Sequence, residues 1–426
     1  MAAMTASAPT RRLRAGTENS IRHGDRAVHE WYRFVLSFPP HLVRDYLRDF
    51  GLGRESVVLD PFCGTGTTLV EAKLEGIPSV GIEAAPMAHF ASATKTDWRP
   101  DPAGLMAHAG TVAAAADATM AREQTLWRLD PERQALLLAG SISPKPLHRV
   151  LVLLATLKDH YSPDYYEHER LALAKVLPTG VGNLRFGPEV GLASRPKDDA
   201  PVVDLWLAAV ASIARDLAAV GSSAPARVLR ADARQVPVAL DACSVDAVFT
   251  SPPYPNEKDY TRTTRLESVL LGLVSSRDEL RSLKKQLVRS NTRGVYKDDD
   301  DDRFVRGHPE IERIAQAIEA RRVALGKTSG FERQYARVAR LYFGGMARHL
   351  ESLKAVLKPG ARLGYVVGDQ ASYLRVMIRT GELLAGIAQS CGYQVDRIDL
   401  FRTRPATATR ERLREEVVVL RWPGTR

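Results

Sequence analysis

Two short stretches of this chain carry residue types at spacings that can do chemistry. Val248-Phe249-Thr250-Ser251-Pro252-Pro253-Tyr254 ends an apolar run with a hydroxyl, two prolines and an aromatic ring. The prolines stop a strand ladder and stiffen the backbone, so Ser251 Oγ and a proline carbonyl become acceptors with a set aim. An amino group on an aromatic ring is a poor nucleophile, because its lone pair is delocalised into the ring. Two acceptors holding its hydrogens draw the nitrogen toward tetrahedral geometry and free the lone pair for in-line attack on a methyl carbon. Positioning and electrostatics then do the work, with no covalent enzyme intermediate. Tyr254 can stack on a base swung out of a duplex. A lone Ser-Pro-Pro-Tyr is equally a surface polyproline-like turn; its place after an apolar strand favours the chemical reading.

The second stretch is Asp60-Pro61-Phe62-Cys63-Gly64-Thr65-Gly66-Thr67-Thr68, between an expected strand and an expected helix. Gly64 and Gly66 allow positive φ and close approach of a ligand. A phosphate loop would need a Lys before Ser/Thr, and a dinucleotide turn a further glycine where Leu69 stands. What remains is a turn for a ligand without phosphates, whose amino group Asp60 can face. Glu83, at the tip of the next strand, can accept both hydroxyls of a ribose, and Asp232, past a third strand, an adenine amino group. Each acid alone is also read as a solvated strand-end residue. Together at successive carboxyl-terminal strand ends they describe a cofactor site.

These side chains need a sheet to hold them. Short apolar runs at Val57–Leu59, Pro78–Ile82, Arg227–Arg230, Val245–Thr250 and Arg362–Val367 predict strands, with more near Tyr393–Leu400 and Glu416–Trp422. Helices are expected over Thr67–Glu75, after Pro39-Pro40, and over 331–356. The opening β-turn-α-β unit is that of a doubly wound α/β fold. Residues 1–27 are expected to form a disordered basic tail rather than a targeting leader. Core segments at 28–86, 225–262 and 331–426 are separated by an Ala/Leu-rich helical insertion at 87–224 and a charged helical one at 263–330. The first insertion is the candidate target-recognition unit and the second the candidate DNA-contacting unit.

Composition narrows the classes. Lys plus Arg number 60 against 50 for Asp plus Glu, a net charge of +10 with a pI near 9.5, which suits a polyanionic partner. No apolar run is long enough to span a bilayer. The three cysteines, Cys63, Cys243 and Cys391, lie far apart, without zinc spacing or a disulfide framework. A reducing cytoplasm and no metal are expected.

At these residues the chain resembles the amino-methyltransferases of DNA, which modify cytosine N4 or adenine N6. Their cofactor motif, Asp-Pro-Phe-x-Gly-(Ser/Thr)-Gly-Thr-Thr, is matched by Asp60 to Thr68, and their catalytic motif, (Asp/Asn/Ser)-Pro-Pro-(Tyr/Phe), by Ser251 to Tyr254. The resemblance covers 28–86, 226–262 and 331–422. It implies a Rossmann-like, seven-stranded class I methyltransferase sheet with helical insertions, S-adenosylmethionine as cofactor, and Phe38-Pro39-Pro40 closing over its methionine end. It implies double-stranded DNA as partner and leaves open a cognate restriction endonuclease. Serine at the first catalytic position is the form usual in cytosine-N4 enzymes. An adenine-N6 enzyme, an RNA amino-methyltransferase and a non-catalytic DNA-binding regulator stand as alternatives. Cytosine C5 chemistry would need a Pro-Cys pair, which the chain lacks. One departure is the order of the motifs: relatives with this glycine turn usually place it after the catalytic motif, and here it comes first.

Weaker signals lie in the insertions. Arg289, Arg293 and Lys297, with Tyr296 among them, have the composition of a loop gripping a DNA backbone, and equally of a solvated loop; Arg185 can read guanine, though a helix-capping turn is the more ordinary reading of its segment. Asp298 to Asp302 is expected to be a solvated acidic turn. Asp369 and Tyr373 follow the fifth strand, where packing explains them as well as function does.

Overall fold

The computed structural model describes residues 21–33, 37–187, 190–221, 224–238, 240–256, 258–405 and 412–424. Its centre is a seven-stranded sheet of β1 (Val58–Asp60), β2 (Ser79–Ile82), β3 (Ala226–Leu229), β4 (Val245–Thr250), β5 (Leu357–Gly368), β6 (Gln394–Pro405) and β7 (Arg412–Arg421). The spatial order is 3-2-1-4-5-7-6. All neighbours are parallel except β7, which runs antiparallel to both β5 and β6. This is the Rossmann-like class I methyltransferase arrangement. The order reverses beside β1, so a crevice opens at the carboxyl ends of β1 and β4, where open α/β sheets bind ligands.

Burial explains the strands. β1 and β2 are short and buried on both faces, as parallel strands under helices must be. Helix α1 (Pro40–Asp49) starts at a proline whose missing N–H costs nothing there. It packs Leu42, Val43, Tyr46 and Leu47 with Phe249, Val366 and Phe401 on one side of the sheet. Helix α2 (Thr67–Leu74) follows the glycine turn directly, and its exposed end is Leu74.

The first insertion runs through α3 (Pro86–Lys95), α4 (Pro102–Arg122), α5 (Pro131–Leu136), α6 (Pro144–Asp159), α7 (Tyr166–Val176) and α8 (Val202–Ala219). Among these helices a small antiparallel pair forms, Leu184–Phe186 with Val190–Leu192. Its apolar core includes Leu105, Leu153, Leu171 and Trp206, and recruits Trp31 from upstream and Val269 from the start of the second insertion.

After the short α9 (Tyr260–Thr263) at the end of the second core segment, the second insertion contributes α10 (Arg265–Leu270), α11 (Arg277–Lys285) and α12 (Pro309–Ala324). Then α13 (Tyr335–Leu353) and α14 (Thr380–Ser390) pack with β5 and β7 in a separate core that includes Leu350, Leu363 and Leu420.

Two expectations are corrected. Residues 1–20 of the expected tail lie outside the described residues, but 21–27 are not loose. Asp25 pairs with Arg44 at 2.7 Å, and Val28 is fully buried. The 298–302 segment is solvated only in part: Asp298 and Asp300 are exposed, but Asp299 and Asp301 turn inward. Asp301 is buried, bound by Arg234 at 2.5 Å and Arg348 at 3.0 Å, and Asp299 pairs with Arg289.

Candidate functional site

A cavity of about 290 Å³ opens at the carboxyl ends of β1, β2, β3 and β4. It is lined on one side by Pro61, Phe62, Cys63, Gly64, Thr65, Thr67, Glu83 and Asp232, and on the other by Ser251, Pro252, Pro253 and Tyr254. The two stretches singled out in the sequence, almost two hundred positions apart, therefore wall one space. Phe38 lines it too, its ring edge-on to Phe249 at 5.9 Å.

The glycine turn divides its labour. Gly64 sits at φ +51°, and a Cβ built there meets nothing closer than 4.0 Å, so its backbone faces open space. Gly66, at φ +83°, cannot carry a side chain for another reason: a Cβ would come within 2.9 Å of Ser92 Cβ on α3. The turn is pinned from behind, where buried Lys95 donates to the Thr65 carbonyl at 2.9 Å. Burial also pushes the Cys63 thiol well above its usual value, which makes it an inert wall atom.

Glu83 accepts the Gly64 N–H at 2.9 Å and the Ala85 N–H at 2.7 Å, one on each carboxylate oxygen. Its remaining lone pairs are the ones a ribose would meet. Burial raises its carboxyl to about 7, because removing the charge from water outweighs those two bonds. Asp232 also lines the cavity, but its carboxylate is already forked by Arg234, with contacts of 2.7 to 3.1 Å. Asp60 does not line the cavity. It is fully buried beneath the turn, where Oδ1 accepts from Thr250 Oγ1 at 2.6 Å and from the Phe62 N–H at 3.2 Å. Its Oδ2 has no hydrogen-bond partner, and burial pushes the carboxyl up to about 6.

These features fit S-adenosylmethionine. An open glycine backbone, a strand-tip carboxylate with free lone pairs and an orphaned buried carboxylate oxygen beneath the turn suit a cationic, ribose-bearing ligand without phosphates. Among the described residues, no group of three His, Cys, Asp or Glu side chains is placed to hold a metal ion.

Four more expected cofactor residues stand behind the cavity. Pro39 and Pro40 are buried at the start of α1, Gly66 packs on Ser92, and Thr68 Oγ1 donates to the Phe249 carbonyl at 3.2 Å. With Asp60 they shape the wall that others present. Their expected contact with the ligand is corrected to support.

On the opposite wall, the Ser251 hydroxyl donates to the Val366 carbonyl at 3.0 Å. With its hydrogen engaged on β5, the oxygen has only lone pairs to offer. Tyr254 lies flush on Gly368, where a Cβ would come within 3.0 Å of the ring. Burial raises its phenol, so the ring stays neutral and can present a flat face.

The sequence reading missed the rest of the lining. Asp259, Lys284, Asn291, Arg402 and Glu415 all reach the cavity. Lys284 pairs with Asp259 at 2.7 Å, and Arg402 with Glu415 at 2.5 Å. Asn291 donates to the Lys258 carbonyl at 3.1 Å, while its Oδ1 is buried without a partner. Local sequence carries no sign of these, since each pair joins separate segments.

Arg289 is the clearest correction among the expected DNA contacts. It is 3% exposed. Its guanidinium forks Asp299 at 2.8 and 2.6 Å and donates to the carbonyls of Lys284, Lys285 and Leu287. With its donors spent inside the protein it cannot grip a phosphate. Arg293 and Lys297 are exposed, as is Arg185 on the small antiparallel pair of the first insertion. Asp369 is buried between Arg379 and Arg414, and the Tyr373 hydroxyl donates to the Ser290 carbonyl at 2.9 Å. Both are packing residues.

Comparison with known proteins adds the following. Residues 17–92 match the family model described as DNA methylase. The chain is 23% identical to Type II methyltransferase M.BsoBI of Geobacillus stearothermophilus, over 91% of this chain and 82% of that protein. It is 30% identical to Type II methyltransferase M.AvaI of Nostoc sp., over 42% of this chain and 38% of that protein. Among solved structures, a SAM-dependent methyltransferase of Methanosarcina mazei aligns with 89% of this chain and 98% of its own, at 11% identity and a TM-score of 0.31.

Proposed function

We propose that this chain, whose residues 17–92 match the DNA methylase family model and which aligns over most of its length with a Type II methyltransferase, is a DNA amino-methyltransferase that methylates the N4 amino group of cytosine within a specific sequence of duplex DNA. The cofactor is S-adenosylmethionine, which when bound supplies a methyl group on a positively charged sulfur. The observation that carries the reading is the state of Ser251. Its hydroxyl donates to the Val366 carbonyl, and it lines the cavity beside the Tyr254 phenol.

Ser251 Oγ and the Pro252 carbonyl accept the two hydrogens of the target amino group. Holding both draws the nitrogen out of conjugation and aims its lone pair across the cavity toward the glycine-turn wall. Tyr254 stacks on the flipped base and offsets part of the few kcal/mol that unstacking costs. Glu83 and the Gly64 backbone hold the cofactor's nucleoside and amino-acid parts, and Asp60 lends negative potential from beneath. A neutral hydroxyl, rather than a carboxylate, stands at the first catalytic position, as is usual in cytosine-N4 enzymes.

Arg185 on the first insertion is the proposed reader of a guanine, and Arg293 and Lys297 the proposed phosphate contacts. The relatives carry the printed description Type II methyltransferase, which supports a cognate restriction endonuclease as a functional partner of this chain. No helix among the described residues is long and apolar enough to cross a membrane. Incubation with methyl-labelled S-adenosylmethionine and duplex DNA, followed by nucleoside digestion, tests the proposal. Label in N4-methylcytosine is expected; label in N6-methyladenine would reassign the target base.

A further inference from the structure

The proposed adenine contact, Asp232, is not held by the sheet alone. Arg234, two residues on and 6% exposed, forks its carboxylate through Nε and Nη2. The same guanidinium reaches Asp301 through Nη1 at 2.5 Å and the Lys285 carbonyl through Nη2 at 2.8 Å. Asp301 and Lys285 both belong to the second insertion, and neither lines the cavity. One arginine thus joins the nucleoside end of the cofactor pocket to the insertion that supplies Lys284, Asn291 and the rest of the base-side wall.

The far end of this link is seated by shape as well as charge. Gly344 and Gly345 lie within α13 where the 298–302 loop packs against it. A Cβ at Gly344 would stand 1.9 Å from the Asp301 carbonyl oxygen. One at Gly345 would come within 3.5 Å of Asp301 Oδ2 and 3.8 Å of Arg234 Cδ. Arg348, one turn along the same helix, holds the other oxygen of Asp301 at 3.0 Å. The loop can dock this closely only because Gly344 lacks a side chain. Once docked, it leaves Asp301 one geometry in which to meet Arg234. A guanidinium presents its donors in a rigid plane, so aiming one fork on Asp301 aims the other on Asp232.

We infer that Arg234 is a positioning residue that makes recognition of the cofactor's adenine depend on docking of the 298–302 loop. This rests on the reading of Asp232 as the adenine contact. Coupling between sites is reciprocal, so cofactor bound at Asp232 would in turn hold the base-side wall in its docked arrangement. Arg234 itself touches neither substrate.

The test compares, by calorimetry on the full chain, the affinity for S-adenosylmethionine with that for its analogue bearing hydrogen in place of the adenine amino group. The wild type should prefer the amino form by about 10- to 100-fold, the worth of one hydrogen bond to a charged acceptor. Asp232→Asn should abolish most of that preference; retention would remove Asp232 from the adenine site and with it the basis of the inference. Asp301→Asn lies outside the cavity, yet should shrink the preference by about 3- to 30-fold. Should that variant fail to fold, Arg234→Lys, which keeps the charge but cannot fork both carboxylates, should shrink it likewise. If Asp232→Asn loses the preference while Asp301→Asn or Arg234→Lys keeps it and merely melts earlier, Asp232 stands and the relay falls.

Discussion

Two regions of the cavity lining are built in different ways. The cofactor wall and the Ser251–Tyr254 segment are made of contiguous residues whose backbone geometry is locally encoded: two glycines at positive φ, and two prolines at a strand end. The stretch of lining from Asp259 to Asn291 instead depends on pairs between separate segments: Lys284 with Asp259, Arg289 with Asp299, and, behind the lining, Arg234 with Asp301. On the first, a side chain can be removed and the backbone will hold. On the second, removing one partner strands a buried charge. Function and stability should therefore separate on one wall and fall together on the other.

The largest effect expected is on the paired wall. Arg289→Met leaves Asp299 without its partner in a nearly dry site, and should cost about 3–5 kcal/mol of stability, read from the denaturant midpoint. A loss confined to turnover would show that this wall is not held by its ion pairs.

Next comes Ser251→Ala. Losing one aimed acceptor should lower turnover by about 10²–10³, the scale seen when one preorganised hydrogen bond to a reacting group is removed. Cofactor affinity and melting temperature should barely move. Stability loss comparable to that of the Arg289 variant would erase the distinction between the walls.

Glu83 gives a smaller, pH-dependent effect. Its raised carboxyl must ionise to accept ribose hydroxyls, so S-adenosylmethionine affinity should rise as pH climbs through about 7 and level off above it. The unliganded fold responds with the opposite sign. Ionising a carboxyl whose folded value is raised opposes folding, so that part of the stability falls over the interval from the ordinary carboxylate range up to about 7. Glu83→Gln should flatten the pH profile of binding and weaken it by about 1.5–3 kcal/mol.

The smallest effect belongs to the exposed residues beyond both walls. Replacing Arg293 and Lys297 together by alanine should lower the slope of log affinity for duplex DNA against log salt by about 2, with stability unchanged. A wild-type slope would take that loop out of the DNA interface.

The same contrast decides what was legible in the sequence. The strands were readable because apolar runs such as Val245–Thr250 end in turn residues. The glycine turn was readable because strand, glycines and helix are consecutive. Glu83 and Ser251 followed from their places at strand ends. Asp60 was found but misplaced: sequence gives the strand end, not which side of the turn its side chain takes, and here it points down to Thr250. Arg289 was misread because a basic loop looks alike whether its cations face solvent or an acid ten residues on. Arg234 was missed, since nothing local reveals that a residue beside a strand tip will reach Asp301. Periodicity reports burial of apolar faces, and a buried ion pair between segments leaves no period.

The most direct test of the central claim, that Ser251 and the glycine-turn wall act on one cytosine amino group, is single-molecule sequencing of DNA from cells expressing the wild type or Ser251→Ala. N4-methylcytosine at one short recurring sequence is predicted for the wild type, and its near absence for the variant. N6-methyladenine in the wild type, or unchanged modification by Ser251→Ala, would contradict the account.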